Sequence, residues 1–522
     1  MSKYLLVARS VPKSRYFDGV HAVSMAACLV WLLRQGSGLT FFFDEWDFVL
    51  NRTFSLPDLL RPHNGHLSLL PVLAYDIMRK IFGLSFYVPY QVLGLLVHVS
   101  ACSAVYFLGK RRSHLLAAAA AVLVCLLGSG WQNIMWPFQI GMMGALSAGL
   151  WAIWEVTQPV ISVKRLTILC AVSLLCAGGG IAVMGTIVLL VVVRRQWNIL
   201  PRLGVVGIVY GFWYLIYGTS QSQAGNLAKA PQFVYDSALG AASGIGATGK
   251  TIAYFFFFLL AVLALWNGYK KVSVLAALGT FAMALMTWAM TGLSRAHLGE
   301  PAASRYVYVG AALLVTTFVT MAPRLQSMFL LLAVMLATNV LVQPNLTILR
   351  AGTGGLRDNS LHVRASLTGL DNIDGDVVAG QQLDGSRAPQ IDMAKYQLVA
   401  RQYGHAGFSN DALLRQPETI KQQADDTIFR LMKSLVTPSN LVSCQPDPFN
   451  RVTDLVVGAG KSVTVVSRIA GEVSVAWFAE GSGASPVINL SPGTQYLFKN
   501  SVISDSPSMK LSFLENYVLI CR

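Results

Sequence analysis

The sequence predicts a polytopic α-helical membrane protein with a C-terminal α+β domain outside the bilayer that ends in a small β-sandwich. Three observations lead there. Of 522 residues, 54% are hydrophobic and 12% charged, with mean hydropathy +0.53. A soluble chain carries about 25% charged residues, so most of this one belongs in lipid. The Lys and Arg residues fall in short clusters between apolar runs, as the positive-inside bias requires. Beyond Gln343-Pro344 the apolarity ends, and from about residue 452 it is replaced by two-residue alternation. The net charge of +15 is therefore spread over loops and does not form a nucleic-acid-binding patch.

Lys3, Arg9, Lys13 and Arg15 place the N-terminus in the cytoplasm, and residues 17–36 cross outward. Met25-Ala26-Ala27-Cys28 faintly resembles a lipoprotein cleavage box, but the long leader favours an uncleaved signal anchor. The outer loop then opens with Phe41-Phe42-Phe43-Asp44-Glu45-Trp46-Asp47-Phe48 and continues to His63-Asn64-Gly65-His66. In residues 66–83, Asp76, Arg79 and Lys80 interrupt an apolar face. The expectation is an amphipathic helix lying in the interface with those charges in water.

Residues 86–108 return to Lys110-Arg111-Arg112, 114–130 go out and 137–155 come back. Trp131 and Trp136, in the connecting turn, suit an interfacial belt better than a sugar-stacking surface. Lys164-Arg165 and Arg194-Arg195 bracket an apolar run broken by Gly178-Gly179-Gly180. A hairpin turning at the glycines keeps both basic pairs cytoplasmic. Its arms fall short of the roughly 20 residues a span needs, which predicts two half-depth helices packed in protein. Residues 203–218 go out, 251–268 return to Lys270-Lys271, and 272–291 go out again. An outer loop with Arg295, His297, Glu300 and Arg305 precedes the span 306–322, and 326–343 crosses last. The expected total is about nine full spans plus the hairpin.

Three regions follow: a transmembrane domain over 1–344 with its first outer loop at 37–85, a mixed helical region over 345–440, and a β-rich domain over 441–522. In the last, short alternating strands such as Ser462-Val463-Thr464-Val465-Val466 are separated by turns. Trp477 and Phe478 are neighbours on one such strand, which points one into the core and leaves the other to face solvent or a sugar. Cys444 and Cys521 flank the unit, and a disulfide between them is expected in an oxidising compartment. Cys28, Cys102, Cys125, Cys170 and Cys176 lie in apolar runs and read as small core residues. No CxxC or Cys/His ligand spacing indicates a metal, although a divalent ion remains compatible with the acidic loop.

The three carboxylates of the first loop stand where the chain has just left the bilayer. Such charge is costly to desolvate and usually functional. Asp44 and Glu45 fit a general base taking a proton from an acceptor hydroxyl, with Asp47 one turn beyond. Asp44 and Asp47 fit equally well as the cap and first turn of a short interfacial helix. His63 and His66 fit either backbone hydrogen bonding in the loop or contact with an acceptor or phosphate. Arg305 suits either snorkelling or a forked bond to phosphate, with Arg295 and Lys229 as weaker anion ligands.

An Asp-Glu pair in the first outer loop, followed by a membrane-surface helix, resembles the GT-C superfamily of polyprenyl-phosphate-dependent glycosyltransferases. That group includes protein O-mannosyltransferases and aminoarabinose transferases. The resemblance makes Asp44 the base and Glu45 its acidic neighbour. It likens His63-Asn64-Gly65-His66 to the family's histidine-bearing loop segment and Ser304-Arg305-Tyr306 to its donor-phosphate arginine. It implies an inverting transferase with a polyprenyl-phosphate-linked sugar as donor and a glycan, lipid or protein as acceptor, and the compact loops point to a bacterial inner membrane. Rivals from the residues alone are a lipid-linked glycan polymerase or ligase, and a flippase. The spans hold few charges and no internal repeat, which favours surface chemistry over translocation. The C-terminal domain lacks the Trp-Trp-Asp triplet of oligosaccharyltransferases.

Overall fold

A computed structural model describes residues 13–53, 55–219, 225–246, 248–270, 274–323, 328–374, 377, 379–432, 436–438, 454–467, 469–480, 486–503, 505–513 and 518–521. The helices begin with α1 (Lys13–Gln35), α2 (Asp44–Asn51), α3 (Leu56–Leu60), α4 (Leu69–Phe82) and α5 (Val88–Gly109). Next come α6 (His114–Cys125), α7 (Trp131–Met135), α8 (Ile140–Val156), α9 (Val163–Cys176) and α10 (Gly179–Val193). They continue with α11 (Leu200–Tyr217), α12 (Asn226–Gly244), α13 (Lys250–Tyr269), α14 (Leu275–Arg295), α15 (Ser304–Met321) and α16 (Met328–Asp371). Contacts divide the chain into two units. The first comprises Met1–Ser37, Arg52–Ile77 and Val88–Gly355, and the second Gly38–Asn51, Met78–Tyr87 and Leu356–Arg522.

Among the described residues, seven helices are long and apolar enough to cross a membrane: α1, α5, α11, α13, α14, α15 and α16. An eighth results if α6 and α7, bent by 43° at their break, are one span. The count is lower than the sequence suggested because α8 is only 17 residues long and α6 stops at Cys125. α16 does not end where the apolarity falls. It runs 44 residues, through Pro344, to Asp371.

Successive antiparallel helices gather the basic clusters at one end of the first unit. There the guanidinium groups close helix C-termini, whose free carbonyls carry the negative end of the dipole. Arg111 donates to the Thr157 carbonyl, Arg112 to Thr320, and Arg194 to Val156 and Gln158. The buried carboxylate Glu155 pairs with Arg165 at the same end. The glycine-broken run folds as a hairpin, with α9 (14 residues) and α10 (15 residues) turning at Ala177-Gly178 and packing on each other and on α8.

The second unit begins in the first loop. α4 forms as expected and leaves Lys80 in water, but Asp76 and Arg79 are 2% and 7% exposed. The expectation that both charges are wet is therefore corrected. Arg79 donates to the Val49 carbonyl at 2.6 Å and lies 4.8 Å from the Tyr403 ring centroid, so protein takes the place of solvent on that side chain. Among the described residues the unit continues with α17 (Met393–Tyr403), α18 (Asn410–Leu414), α19 (Glu418–Leu431) and ten strands. β1 (Gln382–Asp384) and β2 (Ala388–Asp392) form a hairpin.

The other strands are β3 (Val436–Pro438), β4 (Asp454–Val457), β5 (Ser462–Ser467), β6 (Gly471–Ala476), β7 (Val487–Leu490), β8 (Gln495–Lys499), β9 (Met509–Phe513) and β10 (Val518–Cys521). They make two antiparallel sheets, ordered β10-β5-β8-β3 and β4-β9-β6-β7. Val465 and Phe498 from the first sheet share one core with Val473, Val475 and Leu511 from the second and Ile428 from α19. Trp477 and Phe478 are both buried, because β6 stops at Ala476 and strand alternation no longer separates them. Trp477 Nε1 donates to Asn500 Oδ1. Cys444 and the Cys521 side chain lie outside the described residues, as does their expected disulfide.

Candidate functional site

The acidic helix α2 belongs to the second unit. Phe43 has φ +45°, an uncommon conformation for a non-glycine residue, and it starts the helix abruptly at Asp44. Glu45 is fully buried. Its Oε2 accepts the Phe42 backbone N–H at 2.9 Å, and both its oxygens accept the Tyr87 hydroxyl at 3.0–3.1 Å. This is the return half of a capping box: a carboxylate three residues into the turn satisfies an amide that has no intrahelical partner. Glu45 thus fixes the loop, while Asp44 and Asp47 are half-exposed on the same short helix. Asp47 Oδ1 accepts Asn51 Nδ2 at 3.0 Å.

The C-terminal region of the same unit holds this helix in place. Thr40 N–H donates to Ser360 Oγ, Lys395 Nζ to Asn51 Oδ1, and Ser85 Oγ to the His405 carbonyl. The Trp46 indole lies edge-on to Tyr396, whose hydroxyl donates to Asp371. The domain that follows the last apolar helix therefore builds the wall behind the first-loop carboxylates.

His63 and His66 belong to the first unit. They pair across a tight turn through reciprocal N–H···O=C bonds of 2.9 and 3.0 Å. Asn64 (φ +50°) and Gly65 (φ +77°) fill its two left-handed positions, the conformation that Asn-Gly adopts most readily. The His63 ring is edge-on to Phe138 at 5.4 Å, and Phe138 stacks on Trp136. The His66 ring rests on the hairpin tip, where a Cβ built on Gly178 would stand 2.6 Å from Nδ1. Burial, followed by the nearby charges of Arg295 and His63, pushes His66 down to about 4. At neutral pH it is an uncharged imidazole.

The paired His63 and His66 lie at the end of the first unit opposite the basic clusters, where the charge of Arg295 acts on His66. Arg305 opens α15 at that same end, pairs with Glu300 at 3.6 Å and lies 5.0 Å from the Tyr306 ring centroid. Trp131 packs against α16 at Gly352, where an added Cβ would meet its ring at 2.4 Å. His297 bonds Asn226.

Two contributors carried no sequence signal. Gly178 was legible as a break but not as the seat of His66, which lies more than a hundred positions away. Arg52 is buried and donates to the carbonyls of Asp58, Arg61 and Pro62, pinning the segment that delivers the histidine turn.

No protein-family model matches the chain, and no curated relative does. Among solved structures the chain is similar to ArnT from Cupriavidus metallidurans bound to undecaprenyl phosphate. The identity is 14% over 75% of this chain and 85% of that one, with a TM-score of 0.44. It is similar also to the same protein in the apo state, at 15% identity over 75% of this chain and 89% of that one, again with a TM-score of 0.44.

Proposed function

We propose that this protein is a membrane glycosyltransferase of GT-C type that moves a sugar from a polyprenyl-phosphate donor to a cell-envelope glycan, lipid or protein. The transfer takes place on the extracytoplasmic face of a bacterial inner membrane. The acceptor hydroxyl oxygen attacks the anomeric carbon as the bond to phosphate breaks, with inversion. Asp44 takes the hydroxyl proton, and the departing phosphate keeps the electron pair and its charge. Glu45 holds Asp44 in place and does not touch substrate. Arg305, with Arg295 nearby in sequence, supplies the forked donors that stabilise the phosphate. His66, neutral and seated on Gly178, donates to or accepts from a substrate hydroxyl without adding charge.

The observation that carries this reading is the His66 ring seated against Gly178 at the hairpin tip, within reach of the Arg295 charge, at the bundle end where Arg305 opens its helix. A flippase would put its ionisable groups midway along the spans. Here the buried carboxylate Glu155 sits at the basic end, bonded to Arg165.

The test is labelling of the purified protein with a photoreactive polyprenyl phosphate. Wild type is expected to be labelled, Arg305→Ala weakly, and Asp44→Asn as strongly as wild type. Labelling that ignores Arg305 would remove the phosphate site from the proposal. Transfer of whole lipid-linked oligosaccharides in place of single sugars would move the reading to a polymerase or ligase.

A further inference from the structure

We propose that Cys28, His98, Cys102 and Cys125 form a site for a thiophilic d10 cation, Zn2+ or Cu+, inside the first helical unit. The site is independent of the sugar-transfer reading. His98 and Cys102 lie four residues apart on one face of α5, Cys125 closes α6, and Cys28 comes from α1. The ligand atoms of His98, Cys102 and Cys125 all lie within 4.8 Å of one another, and these three side chains are buried. Cys102 Sγ is 3.9 Å from the His98 ring nitrogens. Cys28 stands near enough to Cys125 for the two thiols to act on each other, which makes it the fourth candidate donor beside that group. Three thiols and one imidazole from three helices are the donor set that tetrahedral zinc or a copper(I) ion prefers. Sequence spacing concealed the group, since no two of its members form a motif beyond the four-residue pair.

Two features fit a metal and go beyond packing. An imidazole in the apolar interior is costly, and His98 has an orienting partner: the Tyr308 hydroxyl lies 2.8 Å from Nδ1, the outer-shell contact typical of a ligating histidine. Its Nε2 lies 3.0 Å from the Cys125 carbonyl, which α6 leaves free where it stops. Ion binding exchanges that contact for a metal bond. The imidazole then carries its proton on Nδ1, donated to Tyr308, and offers the Nε2 lone pair. Charge balance suits the interior as well. Bound cysteines are thiolates, so Zn2+ held by Cys102, Cys125 and a neutral His98 displaces two thiol protons to solvent and leaves a neutral centre, and Cys28 as a third thiolate makes it singly negative. Of the four, Cys28 alone is half-exposed. The consequence is a staple from α1, the helix that leads into the acidic loop, to α5 and α6.

The test uses the full chain, purified in detergent on a tag without histidines. Elemental analysis should find about one Zn or Cu per chain, the stoichiometry of a closed four-ligand site. The ion should be lost in Cys102→Ser/Cys125→Ser and retained in Cys170→Ser/Cys176→Ser. Tyr308→Phe, which keeps every ligand, should weaken binding about tenfold. Should the double variant fail to fold, maleimide labelling of wild-type Cys28 gives a second readout: it should be slow with metal and fast after chelation. Zn2+ and Cu+ competition titrations, each against a matched chelator, decide which ion it is. Wild type without either metal, and Cys28 labelling unchanged by added Zn2+ or Cu+, would leave the cluster as helix packing and overturn the proposal.

Discussion

The His66 ring occupies the space where Gly178 has no side chain, so that a methyl group at 178 would overlap Nδ1 at 2.6 Å. The backbone there is ordinary for any residue, with φ −56°. The requirement for glycine is therefore steric, and its object is the histidine. Gly178→Ala is expected to displace His66 and lower kcat about a hundredfold, the cost of a misplacement near 1 Å. Gly179→Ala, whose Cβ meets only Ala145 at 3.8 Å, should transfer sugar at the wild-type rate. Equal activity of the two variants would detach His66 from the reaction.

His66 also sets a pH dependence. Its folded pKa of about 4 lies below the ordinary 6.5. The unfolded chain therefore takes up a proton before the folded one does. The stability this histidine contributes is fully present above pH 6.5 and is lost as pH falls toward 4. His66→Gln should flatten acid denaturation across that window. Arg295→Gln, by removing a neighbouring positive charge, should raise the His66 pKa, visible as a transfer rate that declines at higher pH on the acid side.

Glu45 is expected to act through position alone. Glu45→Ala leaves the Phe42 amide and Tyr87 hydroxyl without their acceptor, a loss of about 1–3 kcal/mol for each group. Tyr87→Phe removes one bond and should cost about 1 kcal/mol. Both should lower kcat in proportion to the loosening of the loop, with the KM for donor unchanged. Urea unfolding and steady-state kinetics on the same preparations check the correlation.

Asp425 ties α19 to the sandwich by accepting the backbone N–H groups of Phe478 and Ala479 at 2.9 and 3.0 Å. Burial is the largest influence on it and raises its pKa from 3.8 to about 6. For a raised carboxyl the sign is opposite to that of His66. The stabilising contribution is whole below pH 3.8 and is lost as pH climbs through 6. Amide exchange at 477–479, corrected for its intrinsic pH dependence, should quicken between pH 4 and 7 in the wild type. In Asp425→Ala it should be fast throughout.

Much of this architecture was legible in the chain itself. The glycine break between two basic pairs can satisfy charge placement only as a hairpin, and α9 and α10 form one. The alternation after residue 452 gave the paired sheets, because one face of each strand must be buried. What escaped had causes at longer range. Asp76 and Arg79 look like solvent-facing charges when α4 is read alone, and only Val49 and Tyr403 show that protein covers Arg79. Glu45 and Asp44 are chemically alike and adjacent, and it takes Tyr87 to show which one is spent on the loop. The seat of His66 on Gly178 joins segments that no periodicity connects.

The most direct test of the account is sugar transfer by Asp44→Asn in the full-length protein, assayed with a polyprenyl-phosphate sugar while donor binding is measured on the same sample. The account predicts donor binding like that of the wild type, with turnover lost by the hundredfold or more that a positioned base supplies, roughly 10²–10⁴. Wild-type turnover by Asp44→Asn would contradict it.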